Sequence, residues 1–109
     1  MQNSEYYRAM SESDLESGNA ESAALAFNAS YATESFERSV RHTMSRLESI
    51  IADVKRVQGH ASGDASGTPI SVAAEIMHCV MAGMMNLNLD DMVRYAARAE
   101  MAQRAHIER

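Results

Sequence analysis

Between Thr33 and Val57 the apolar residues Phe36, Val40, Met44, Leu47, Ile50 or Ile51, Val54 and Val57 recur at intervals of three and four. That is the period of one helical face. Arg38, Arg41, Ser45, Glu48, Ser49 and Lys55 occupy the opposite positions. Glu34 with Arg38 and Glu37 with Arg41 place an acid one turn before a base, and Lys55 and Arg56 suit the carbonyl end of the helix dipole. The pattern predicts an amphipathic helix over 33–57, which the small residues of 23–31 could extend towards the N-terminus.

The apolar period stops at residues 58–68, QGHASGDASGT, which hold three glycines and no large apolar side chain. They read as a flexible turn that folds the chain back. Thr68 fits an N-cap and Pro69 the first helical position, where a missing N–H costs nothing.

A second helix follows. Its apolar residues Ile76, Met77, Val80, Met81, Met84, Met85, Leu87, Leu89, Met92 and Val93 cover more than half of the circumference. A helix apolar on so many sides is buried on several sides, and one neighbour cannot cover it. These ten residues are therefore the expected interface with other chains. Asn86 to Asp91 could interrupt the helix, with Asn88 or Asp90 capping a second piece, but the reading preferred is one continuous helix to about Ile107. Ala96, Ala99, Ala102 and Ala105 fall near one face of its last part, where small side chains permit close packing. The fold class predicted is all-α: a helical hairpin over 21–109 with a Met- and Ala-rich second helix, whole or broken near 86–90, that associates with other chains. Residues 1–20, polar and rich in Ser and Glu, read as a disordered N-terminal segment.

Composition strengthens the expectation of partners. The chain of 109 residues has room for one domain, and it has no Trp, two Phe, four Tyr and nine Met. Ala buries little area and Met specifies packing poorly, so such a core gains from partner helices. The net charge of −5 resides in the first 35 residues, where six acids face Arg8 alone; the other nine acids and nine bases balance. Bases alternating with acids give no stripe for phosphate, and nucleic acid is not an expected partner. Cys79, the single cysteine, reads as a buried inert thiol. The start MQNSEYYRAM has neither a basic nor an apolar signal region, so synthesis in the cytoplasm without a cleaved signal peptide is expected. Glu75, His78, Asn86 and Asn88 argue against a transmembrane span over 70–89.

Candidate chemistry is sparse. Glu75-Ile-Met-His78 puts a carboxylate and an imidazole one turn apart, as the helices of di-iron bundles do. On that pair alone the chain resembles small ferritin-like proteins, whose site a dimer would complete with Glu37 or Glu48, giving a metal-binding oxidase. Against this, only one such pair is present, and Glu37 and Glu48 lie at the edge of the first helix's apolar face. The expectation is no metal and no cofactor. His42, His60 and His106 read as surface histidines, and Asp90-Asp91 as a helix cap. Nucleophile-elbow, phosphate-loop, paired-cysteine and zinc-helix motifs are all lacking.

In layout the chain resembles the inner-rod proteins of bacterial type III secretion systems and the related flagellar rod adapter. The likeness spans about residues 36–107. It is carried by Ile76-Met77, by Met84-Met85-Asn86-Leu87, by Asp90-Asp91-Met92-Val93-Arg94 and by the Ala-rich tail to Arg104. The ending Ala-His-Ile-Glu-Arg is less apolar than is usual in that family. The resemblance implies a non-enzymatic structural subunit that packs on copies of itself and on other helical proteins, exported without a cleaved signal into the cell envelope. A different reading of the same Met-rich face is a small cytosolic chaperone or regulator that holds a client helix.

Overall fold

A computed structural model describes residues 2–63 and 67–108. The protein is all-α: α1 spans Ser4–Glu16, α2 Ala20–Gly63, α3 Pro69–Met85 and α4 Leu89–Glu108, and there is no strand among the described residues. The chain divides into two units, one made of residues 1–40 and 89–109, the other of residues 41–88.

In the first unit, the segment expected to be disordered holds α1. Asn3 caps it by accepting from the Tyr6 N–H at 2.9 Å, and Ser17 closes it. Gly18, at φ +78°, makes the left-handed turn that a side chain would resist, and Asn19 then accepts from the Ser22 N–H to start α2. The low apolar content that suggested disorder is offset by close polar packing. Ser11 donates to the Ala23 carbonyl, Ser30 to the Ser4 carbonyl and Ser22 to the Asp14 carboxylate, at 2.9, 3.0 and 2.6 Å. Small residues line this seam on α2: Ser22, Ala23, Ala26, Ala29, Ser30 and Thr33 are all buried. Their spacing of three and four is a helical face that a hydrophobicity pattern does not register. Across it lies α4, whose Gln103 donates to the Thr33 hydroxyl at 2.9 Å and whose Ala99 is buried.

In the second unit α2 and α3 run antiparallel. Ile50 sits against Gly83, while Val57 borders a groove with Ala74 and Cys79. The expected turn begins later than the glycines suggested, because α2 continues through Gln58 and Gly59 to Gly63. Adding a residue to an existing helix is cheap, and one exposed glycine costs only about 1 kcal/mol. Residues 64–66 of the expected turn lie outside the described residues. Thr68 and Ser71 form the two reciprocal hydrogen bonds of a capping box, at 3.2 and 3.1 Å, with Pro69 in the first turn. The reading of one continuous helix to Ile107 is corrected: α3 stops at Met85. Asn86 caps it by donating its N–H to the Gly83 carbonyl at 3.1 Å, the Leu87 N–H donates to the Met84 carbonyl at 3.1 Å, and the Asn86 side-chain amide donates to the Ala82 carbonyl at 3.3 Å. Asn competes well for backbone groups outside a helix, which is why Asn86 ends this one.

Candidate functional site

The candidate site is the side of α3 turned away from α2. Half-buried Val72, Ile76, Cys79, Val80 and Gly83 mark the side that faces α2, mostly at spacings of three and four. Opposite, Ile70 is 82% exposed, Met77 and Met81 60%, Met84 51% and Met85 86%. No residue of this 17-residue helix is buried. Among the described residues, an 18-residue window within Pro69–Glu108 has a mean hydropathy of 1.4, enough by length and composition to cross a membrane. α3 itself rises about 25 Å, short of the roughly 30 Å of bilayer hydrocarbon. Large apolar side chains left in water in such number make this side of α3 the candidate interaction surface.

The structure divides the ten residues expected at the interface. Met77, Met81, Met84 and Met85 are exposed on α3, Ile76 and Val80 are half-buried on its inner side, and Leu87 is half-buried between α3 and α4. Leu89, Met92 and Val93 open α4 and belong to the other unit; Leu89 and Val93 are exposed and Met92 is half-buried. The exposed apolar surface of α2 escaped the sequence reading. Met44, Leu47 and Ile51, which the period places on one apolar face with Ile50 as the alternative to Ile51, are 55%, 41% and 54% exposed, while Ile50 and Val57 are buried.

Glu75 and His78 are exposed and share a groove of about 460 Å³ with Arg56, Val57, Ala74 and Cys79. Among the described residues no three His, Cys, Asp or Glu side chains converge to hold a metal ion. Arg56, whose guanidinium pairs with Asp53 at 3.5 Å, lines the same groove. Cys79 is half-buried rather than enclosed.

One histidine expected at the surface is buried. His106 is 6% exposed, with its ring edge-on to Tyr7 at 5.6 Å and 84°. Its Nε2 has no hydrogen-bond partner among the described residues. Tyr7 is 3% exposed and also meets Tyr6 edge-on at 5.1 Å. Burial pushes the Tyr7 phenol above its ordinary value, and the neighbouring Tyr6 adds to the shift.

The fold and this surface define a class, an all-α chain with a helix apolar on two sides. Comparison with family models, with curated proteins and with solved structures gives no match.

Proposed function

We propose that the chain is a non-enzymatic structural or adapter subunit of a helical assembly, joined to copies of itself or to other helical proteins through the outer side of α3. The observation that carries the reading is a 17-residue capped helix with no buried residue and five large apolar side chains in water. Each of those side chains gains roughly 1–3 kcal/mol when fully covered, so the free surface is costly to leave bare. Glu75 and His78 on the same helix, and its short rise, favour protein over lipid as the cover. The resemblance to type III inner-rod proteins gives the reading its most concrete form, a rod subunit of a protein export apparatus. The hairpin pairing of α2 with α3, and a methionine-rich helix left free to meet its neighbours, support it.

The test is size-exclusion chromatography with light scattering on the wild type and on Met81→Asp with Met84→Asp. Association should be lost in the variant while the far-ultraviolet helical signal largely remains, because a buried unpaired carboxylate costs several kcal/mol. A variant that assembles like the wild type would remove α3 from the interface.

A further inference from the structure

We infer that the segment 41–88 is half of a four-helix bundle and that a second copy of the same segment supplies the other half. The inference rests on the proposed role of α3 as an interface, and it adds the partner and the part played by α2.

The exposed apolar residues of α3 keep a strict register. Ile70, Ala74, Met77, Met81 and Met84 are spaced four, three, four and three, the a/d repeat of a coiled-coil seam, and all five are exposed. α2 carries the same repeat in Met44, Leu47 and Ile51, also exposed, and it continues into half-buried Val54. On α3 Met77 follows Ile76, Met81 follows Val80 and Met84 follows Gly83 of the inner side; on α2 Ile51 follows buried Ile50 and Met44 follows half-buried Thr43. One step along a helix is a turn of about 100°, in the same rotational sense each time. Because α2 and α3 run antiparallel, equal rotations carry both seams to one side of the hairpin. By the same rotation His42, Arg46, Asp53 and Arg56 of α2, with Glu75 and His78 of α3, fall on the other side. The hairpin is therefore a two-helix layer with one polar and one apolar side, which is the shape of half a four-helix bundle.

Two observations name a second copy as the cover. The exposed apolar side chains of the two seams offer on the order of 800 Å², about what one partner contributes to a stable interface. Charge is permissive as well. The seam positions of both helices carry none, so two identical layers meet with no charge buried between them. A membrane surface fits less well, since lipid-binding helices set Trp, Phe or Leu against a basic face, and this polar side mixes signs.

Sedimentation equilibrium of the full chain should give an even number of 12.0 kDa chains per particle. Ile51→Asp on α2 and Met81→Asp on α3 should each abolish that association, whereas Arg46→Asp, on the polar side, should leave it intact. A wild-type monomer, with or without binding to anionic phospholipid vesicles, overturns the inference, as does an odd-numbered particle. If Met81→Asp dissociates the particle and Ile51→Asp does not, the bundle is wrong while the α3 interface stands. If neither substitution changes the mass, both fall.

Discussion

Tyr7 is buried in the first unit, and its phenol should make that unit sensitive to alkali. With the folded phenol held above its ordinary value of about 10, the unfolded chain gives up the proton first. The stabilisation is fully present below about pH 10 and is lost as pH rises from there through the raised folded value. Thermal melts between pH 7 and pH 11 should show the wild type losing stability above about pH 10, and Tyr7→Phe losing distinctly less. Equal losses would mean that the phenol is not what the fold shields. His106 presses on the same ring without a partner for Nε2 among the described residues, so the contact between α1 and α4 rests on ring packing.

Between the helices of the second unit, α3 approaches α2 closely at Gly83. A Cβ built there would collide with Cγ1 of Ile50 and lie 2.7 Å from its Cδ1. Ile50 is buried and branched at Cβ, so it yields poorly. Alanine is the better helix former by about 1 kcal/mol, but overpacking a close contact costs about 1–3 kcal/mol, and the collision should win. Chemical denaturation should show Gly83→Ala destabilised by roughly 1 kcal/mol, with the loss removed or reversed in an Ile50→Ala background, where alanine at 83 meets free space. Additive losses would place Gly83 away from Ile50. The same contact fixes which side of α3 is inner, and so leaves Met77, Met81 and Met84 outward.

For the molecule as a whole, elements written in large apolar side chains were legible in the sequence, and those written in small polar ones were not. The helical class, the body of α2, the Thr68–Pro69 start of α3 and the surplus of apolar surface on α3 all follow from periods of three and four and from cap chemistry. α1 was missed because Ser4, Ser11, Ser22, Ser30 and Thr33 count as polar in any hydropathy pattern, yet every one of them is buried. The spacing of Ser22, Ala26, Ala29 and Thr33 was the available signal. The exposure of Met44, Leu47 and Ile51 was not legible for a different reason: the period shows which residues share a face, and an apolar stripe wide enough for two neighbours gives no sign of which half the chain itself will cover. The break at Asn86 depended on a competition between helix continuation and a side-chain cap that composition leaves nearly balanced.

Thioethers rather than branched hydrocarbons make up most of the outer seam of α3, and thioethers react with oxidants. Peroxide converts an accessible methionine to its sulfoxide, a polar group where the seam needs an apolar one. Met77, Met81, Met84 and Met85 all stand in water in the isolated chain. Mild peroxide treatment of dilute protein should therefore lower the particle mass towards one chain, and methionine sulfoxide reductases should restore it. A variant with leucine at the four positions and at Met44, the methionine of the α2 seam, should keep its mass under the same treatment. Wild-type particles that stay whole with these four residues oxidised would show that the seam faces solvent in the assembly. An association held by methionine would thus be reversible by redox chemistry, without any cysteine taking part.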